Sequence, residues 1–287
     1  MDRSKPTVSN SWTALRRFTP ARIALGRAGA ALPTEEVLGF GLAHARARDA
    51  VHRALDVEKF EAELRAAEFE TIRVRSAAAN RRDYLLRPDL GRRLSAECVA
   101  HLRERVLETD ARSSASSTSP PGGASHVVSD AFDVGLVAGD GLSAIGVQRH
   151  ALPLLQALRE RAPAGWSFSP VIVAEQARVA LGDEIGELLR ARIVAILIGE
   201  RPGLSSPDSV GVYLTYEPRI GRNDSERNCI SNIRPEGLGY ADAARKMVWL
   251  IDAALRRQLT GVALKDESDV TPADAAVRAI PDPGRDP

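Results

Sequence analysis

The feature that most constrains the fold is Ile193–Ile198 (IVAILI), an unbroken apolar run stopped at once by Gly199-Glu200-Arg201-Pro202-Gly203. A strand with no polar face must be covered on both sides, the situation of a parallel sheet between helical layers. Phe132–Ala138 (FDVGLVA), Trp166–Val173 and Val210–Tyr216 read as further strands of that sheet. They are ended by Gly139-Asp140-Gly141, by a polar turn and by Glu217-Pro218 respectively. Between them the spacing predicts helices over about Gln148–Glu160 and Asp183–Arg190. In a last helix Tyr240, Ala244, Met247, Val248, Ile251, Leu255 and Leu259 form one apolar stripe, closed by Gly261. Strands alternating with helices predict an α/β fold, with a Rossmann-like parallel-sheet C-terminal domain over residues 127–262.

The first half reads differently. Pro33-Thr34-Glu35-Glu36 is a helix start, with Thr34 as N-cap and two acids in the positive first turn. Val37, Phe40, His44, Ala47, Val51 and Ala54 then recur at spacings of three and four, predicting a core-facing stripe in which His44 is a satisfied core residue. Ile72 and Val74 alternate with Arg73 and Arg75 as a short extended segment. Leu94, Cys98 and Leu102 mark another helix, ending near Thr109, with Cys98 in its core face. Residues 12–110 therefore read as a mainly helical N-terminal domain. Ser113–Ser125 (SSASSTSPPGGAS) has no apolar residue larger than alanine, and residues 111–126 read as a linker. Residues 1–11 and 263–287 read as disordered ends.

Length and charge narrow the class. At roughly 150 residues per domain, 287 residues amount to two compact units. Hydrophobic residues at 44% and charged residues at 27% exclude wholesale disorder and a fibrous chain. Lys+Arg at 39 against Asp+Glu at 38 gives no electrostatic footprint for nucleic acid or an anionic membrane. No apolar run approaches the 18 or so residues of a membrane span, and MDRSKPTVSN lacks the apolar core of a signal peptide. Cys98 and Cys229, far apart in sequence, fit a reducing compartment. The expected location is the cytoplasm.

In an open parallel sheet, ligands bind beyond the carboxyl ends of the strands. Each strand here is followed by a loop with groups suited to a ligand: Gly139–Ala144 (GDGLSA), Glu175–Val179 (EQARV), Gly199–Leu204 (GERPGL) and Glu217–Gly221 (EPRIG). A further loop, Asn228–Ile233 (NCISNI), precedes the final helix. The competing reading is ordinary loop punctuation. Motifs for a dinucleotide, a P-loop nucleotide, a zinc-protease centre and a nucleophile elbow are all missing, as is the D-x-H-x-x-G pattern that supplies a cobalt ligand in many cobalamin domains. No nucleophile has a base beside it. Glu200 is either a ligand acceptor or a solvated loop acid. Cys229 is either a contact in the crevice or a small buried apolar group. Arg92-Arg93 and Arg256-Arg257 read as solvated faces or partner contacts rather than anion sites.

At these residues the chain resembles the small (light) subunit of adenosylcobalamin-dependent ethanolamine ammonia-lyase. The resemblance rests on Thr19–Gly29 (TPARIALGRAG), Asp83–Arg93 (DYLLRPDLGRR), Asp140–Ala144 (DGLSA), Asp183–Leu188 (DEIGEL), Gly199–Gly203 (GERPG) and Arg227–Ile233 (RNCISNI). These occur in the family's order between about Ser11 and Gly261. The departures are the Ser113–Ser125 insertion and Ala138-Gly139 before DGLSA, where serine is commoner. The resemblance implies a hetero-oligomer in which a large barrel subunit holds ethanolamine and converts it to acetaldehyde and ammonia by radical chemistry. It implies that this chain covers the corrin of adenosylcobalamin, which keeps its own dimethylbenzimidazole on cobalt. Val179, Glu200 and Cys229 match the family's cofactor-contacting positions, and the helical N-terminal domain is expected to dock on the large subunit. The extension that some members use for microcompartment targeting is reduced to about a dozen residues, so encapsulation stays open.

Two other classes remain: a stand-alone α/β enzyme on a small nucleotide or amine, and a non-catalytic assembly or targeting subunit with an empty crevice. Activity of the isolated chain distinguishes the first. An unchanged cobalamin spectrum on mutating the crevice distinguishes the second.

Overall fold

The computed structural model describes residues 7–116 and 132–269. After a 3-10 segment at Ser11–Phe18 come α1 (Thr34–His52), α2 (Val57–Ala66), β1 (Thr71–Arg75), α3 (Arg81–Leu86) and α4 (Ala96–Ser116). The second half runs β2 (Phe132–Gly139), α5 (Ala144–Arg161), β3 (Phe168–Glu175), α6 (Leu181–Leu188), β4 (Ala191–Gly199), β5 (Val210–Tyr216), β6 (Asn228–Ile233) and α7 (Tyr240–Arg257). The six strands form one sheet in the order β1-β3-β2-β4-β5-β6. β1, β3, β2 and β4 are parallel, β5 is antiparallel to β4, and β6 is antiparallel to β5.

The α/β class follows from side-chain alternation. Successive strand residues point to opposite faces, and here both faces are buried. Val134, Leu136, Val171, Val173, Ile193, Ala195, Leu197, Val212 and Leu214 pack with residues of α2, α5 and α7. Val137, Ile172, Ala174, Val194, Ile196 and Ile198 pack with Leu102 of α4 and with Leu181 and Ile185 of α6. IVAILI is apolar throughout because its alternate residues serve two different layers. The edge strand β1 comes from the first half of the chain, so the sheet joins segments on either side of the Ser113–Ser125 stretch.

Several expectations are corrected. Val210–Tyr216 is a strand but not a parallel one, because residues 200–209 are shorter than the dozen or so that a parallel crossover takes. Asn228–Ile233 is a strand rather than a loop; its register shift against β5 and the left-handed Asn232 (φ 58°) disturb the alternation that would have marked it. The helix at Thr34 forms as expected, with Pro33 rather than Thr34 at the cap position, but its stripe does not reach the core. Only Ala50 of α1 is buried; Val37 and Phe40 are exposed, and so is His44. α4 continues past Thr109 to Ser116, and the rest of the Ser113–Ser125 stretch lies outside the described residues. At the other end Lys246 pairs with Asp266 and Asp269, so residues 263–269 are tied to α7, while 270–287 lie outside the described residues. Val8 bridges Arg27 in the first segment, and residues 1–6 are likewise outside. Among the described residues no helix is long and apolar enough to cross a membrane.

Two buried acids at the start of α6 connect distant segments. Glu184 accepts both guanidinium nitrogens of Arg93 at 3.1 Å and the Leu94 amide at 2.7 Å. Asp183 pairs with Arg227, whose side chain is 2% exposed and which also bonds Asp224 at 2.9 Å and the Arg222 carbonyl at 2.9 Å. Gly186, on the same helix, lets α6 lie against the sheet: a Cβ there would meet Pro218 Cγ at 2.5 Å and Val194 Cβ at 2.9 Å. Removing one partner of a buried pair leaves the other charge uncompensated, at about 3–5 kcal/mol. Asp183→Ala is expected to lower the unfolding free energy by about that amount. In urea titrations the double variant Asp183→Leu/Arg227→Met should recover most of the loss, which a purely steric role for Asp183 would not allow.

Candidate functional site

The site is built from the end of β4 and the two strands that follow. β4 ends at Gly199, and the Glu200 amide bonds back to the Ser209 carbonyl at 3.0 Å, closing the intervening loop on itself. The start of α5 clamps this loop. The Ser143 hydroxyl donates to the Pro207 carbonyl at 2.8 Å, and a Cβ at Gly146 would lie 2.7 Å from the Asp208 and Ser209 carbonyl oxygens. Glu200 is thereby held on the rim of β5. Its carboxylate accepts the Ser209 hydroxyl at 2.5 Å and the Asn232 amide at 3.2 Å from each oxygen. The left-handed turn at Asn232 aims that amide, and Asn adopts this conformation more readily than other non-glycine residues. Gly211 is required beneath the carboxylate: a Cβ there would stand 3.0 Å from Glu200 Oε1.

Beside Glu200, Tyr213 and Cys229 are register partners across β5 and β6. The Cys229 thiol lies 3.2 Å from the Ser231 hydroxyl. Burial, with Cys229 and Glu200 close by and a hydrogen bond to Cys229, pushes the Tyr213 hydroxyl well above its ordinary value. Cys229 is exposed, so it is not a small buried apolar group. Val179, in the turn before α6, and Tyr213 are both half-buried and pack on the same α6-side cluster. The structure therefore brings Glu200 and Cys229 together through Tyr213 and the Asn232 amide, and sets Val179 against the same apolar layer. Tyr213, Ser209, Gly211 and Asn232 were not singled out from sequence. The one signal was a tyrosine, with its polar tip, in the middle of a mostly apolar strand.

The Gly139–Ala144 loop, expected to face a ligand, is interlocked with the protein instead. Gly141 (φ 56°) comes so close to β4 that a Cβ would lie 2.2 Å from the Gly199 carbonyl oxygen. Asp140 is buried, accepts the Ala177 amide at 2.9 Å and lies 3.4 Å from Arg81 Nη1, which donates to the Gly141 carbonyl at 2.8 Å. Tyr84 donates to the Ala177 carbonyl at 2.9 Å, and the guanidinium groups of Arg81 and Arg178 both lie over its ring. Burial raises the Tyr84 hydroxyl to about 12. Here DGLSA and EQARV hold each other and α3 rather than presenting polar groups outward. Cys98 is half-buried, packed on the α6-side cluster, and its sulfur accepts the Arg75 amide at 3.3 Å. Arg92 and Arg93 are both exposed, as expected of a solvated pair, and Arg93 also donates to the buried Glu184. An apolar cavity of about 410 Å³ lies at the opposite edge of the sheet, against Phe132 and Phe168 at the amino ends of β2 and β3. Among the described residues no three His, Cys, Asp or Glu side chains gather as a metal site.

With this geometry in hand, the comparisons with known proteins decide the family. One family model matches residues 9–265, under the description Ethanolamine ammonia-lyase light chain (EutC). The chain belongs to the ethanolamine ammonia-lyase light chain family. It is 54% identical over 276 residues to the ethanolamine ammonia-lyase small subunit of Azotobacter vinelandii, covering 96% of this chain and 95% of that protein. The protein of the same name from Pseudomonas syringae pv. tomato is 53% identical over 263 residues, covering 91% of this chain and 85% of that one. The Pseudomonas putida W619 protein is 49% identical over 276 residues, covering 96% and 94%. The family match spans the 3-10 segment, α1 and the whole sheet.

Asp140 supplies a test of the interlocked loop. Burial pushes its carboxyl up to about 6, against the opposing pull of Arg81 and of backbone N–H donors. The folded protein thus binds this proton more tightly than the unfolded chain, and the residue's contribution becomes more favourable as pH falls from about 6 to about 4. Between pH 7 and 4.5 the stability of the wild type relative to Asp140→Asn is expected to rise on the order of 2 kcal/mol. Parallel unfolding curves for the two proteins would contradict the assignment.

Proposed function

We propose that this chain is the small subunit of an adenosylcobalamin-dependent ethanolamine ammonia-lyase, acting with a large barrel subunit to convert ethanolamine to acetaldehyde and ammonia. The observation that carries this reading is family identity of about half over nearly the whole chain, with relatives named as that subunit. The site residues are Val179, Glu200 and Cys229, with Tyr213 between the last two.

The donor and acceptor chemistry fits the cofactor. Corrin side chains end in primary amides, which need acceptors. An ionised carboxylate offers about four lone-pair sites, and Glu200 gives some of them to Ser209 and Asn232 while keeping others. Its two internal donors fix the carboxylate, so little rotamer freedom is lost on accepting an amide. Val179 and the Tyr213 ring offer apolar surface that continues into the α6-side core. The exposed Cys229 and Ser231 add a soft thiol and a hydroxyl on the next strand. Together they make a contact face rather than an acid–base pair. Bound cofactor supplies a cobalt–carbon bond that breaks homolytically to start the radical reaction. This chain's part is to bind and orient the cofactor and to keep water from that side of the site.

The first experiment is reconstitution. Large subunit and adenosylcobalamin should give ethanolamine-dependent acetaldehyde only when this chain is added. Full activity of the large subunit without it would overturn the proposal, as would activity of this chain alone. Glu200→Ala is expected to raise the apparent Kd of the complex for adenosylcobalamin roughly tenfold or more, the loss of one charge-assisted hydrogen bond. The thermal midpoint should move only a few degrees. Cofactor titration monitored by absorption checks this, and an unchanged Kd removes Glu200 from the site.

A further inference from the structure

α5 and α7 meet at a buried histidine outside the contact face described above. His150 is 6% exposed, and its Nδ1 lies 2.8 Å from the hydroxyl of Tyr240, the first residue of α7. Its Nε2 faces Asp208 Oδ2 at 3.8 Å, beyond hydrogen-bond reach, and has no hydrogen-bond partner. Asp208 Oδ2 is also held by the exposed Arg149 of α5, at 2.7 Å. Burial holds the imidazole below its ordinary value; Arg149 acts in the same direction, while Asp208 and Glu236, in the turn ahead of α7, oppose it. The ring is therefore neutral at neutral pH. The Asp208 carboxylate favours the tautomer with its proton on Nε2, which leaves Nδ1 to accept from the Tyr240 hydroxyl. Packing alone would be served better by an apolar residue, because a buried ring nitrogen without a partner costs free energy.

The two residues that His150 faces lead to the two donors that hold Glu200. Asp208 precedes Ser209, whose hydroxyl donates to the Glu200 carboxylate at 2.5 Å and whose carbonyl accepts the Glu200 amide at 3.0 Å. Tyr240 lies two residues beyond Leu238, whose amide donates to the Asn232 carbonyl at 2.9 Å and whose carbonyl accepts the Arg234 amide at 3.1 Å. That turn is tight: a Cβ at Gly237 would lie 2.3 Å from the Asn232 carbonyl oxygen. The Asn232 amide is the second donor to Glu200. On α5, His150 sits one turn beyond Gly146, on the face against which the Asp208 and Ser209 carbonyls rest. We propose that His150 is a positioning residue for Glu200, bridging Asp208 and Tyr240 and so fixing the spacing of the hydroxyl and the amide that aim the carboxylate. The role rests on the reading of Glu200 as a cofactor contact and adds a residue that acts through it.

The test is a double-variant cycle on the complex of the full chain with the ethanolamine ammonia-lyase large subunit, read as the Kd for adenosylcobalamin in absorption titrations. His150→Leu should raise Kd roughly threefold to tenfold, the loss of a neutral hydrogen bond. Tyr240→Phe, which removes only the hydroxyl, should shift it in the same direction. In the Glu200→Ala background either change should alter Kd less than about twofold, because His150 acts through the carboxylate. The thermal midpoint of the free chain checks folding, and Tyr240→Phe carries the cycle if His150→Leu does not fold. Unchanged Kd in both variants, with Glu200→Ala still weakening binding, overturns the role of His150 and leaves the reading of Glu200 intact. Effects that simply add to that of Glu200→Ala make His150 a packing residue between α5 and α7 and overturn the proposal as well. If Glu200→Ala itself leaves Kd unchanged, the reading of Glu200 fails and His150 falls with it. If the wild-type complex binds no adenosylcobalamin, the small-subunit reading fails too.

Discussion

Consecutive carboxylates at the first turn of α6, Asp183 and Glu184, hold two remote segments in one arrangement. Glu184 takes Arg93 and the Leu94 amide, fixing the chain ahead of α4. Asp183 takes Arg227, the residue immediately before β6. The pair is not an efficient source of stability. Desolvating two charges costs nearly as much as their attraction returns, and Asp183 Oδ1 and Arg227 Nε have no hydrogen-bond partner. What it supplies is position. With Arg227 pinned, β6 enters the sheet in the register that sets Cys229 opposite Tyr213 and turns the Asn232 amide toward Glu200. The motifs DLGRR, DEIGEL and RNCISNI are thus parts of one scaffold, and only the last also reaches the candidate site.

Much of the sheet was legible because burial on two faces leaves a simple trace. IVAILI has no polar residue, so it is central, and β2 and β3 follow the same rule. Strand direction leaves no such trace: Val210–Tyr216 is as apolar as its parallel neighbours, and only the shortness of residues 200–209 argues for reversal. β6 was illegible for a different reason. Its buried residues, Ile230 and Ile233, are three apart because Asn232 takes a left-handed conformation, and that irregularity is what serves Glu200. A departure from periodicity at a site is the expected place for sequence reasoning to fail.

The glycine loops and α1 show two further limits of pattern. Glycine allows close approach, but the approaching group can be the protein itself. Gly141 and Gly199 are small because their own backbones meet, which composition alone cannot separate from a ligand cradle. On α1 the stripe Val37, Phe40, His44 was real as a pattern, yet amphipathicity says only that a face needs cover. It does not say whether the cover belongs to the same chain. Glu200 and Cys229 were placed by resemblance, and the structure adds that Glu200 is half-buried just past the end of β4, while Cys229 is exposed on β6 opposite Tyr213.

The same reasoning accounts for the absence of a nucleophile–base pair around Glu200. A carboxylate acting as a general base needs a free path to a proton. The Glu200 oxygens are instead engaged by the Ser209 hydroxyl and the Asn232 backbone amide. Gly211 leaves room for the carboxylate beside β5, since a Cβ there would stand 3.0 Å from Glu200 Oε1. The rim is therefore suited to holding amide donors at fixed positions. The clamp of α5 on residues 207–209 keeps that acceptor in place before any ligand arrives, and preorganisation of this kind is how a few polar contacts orient a large, mostly apolar ligand.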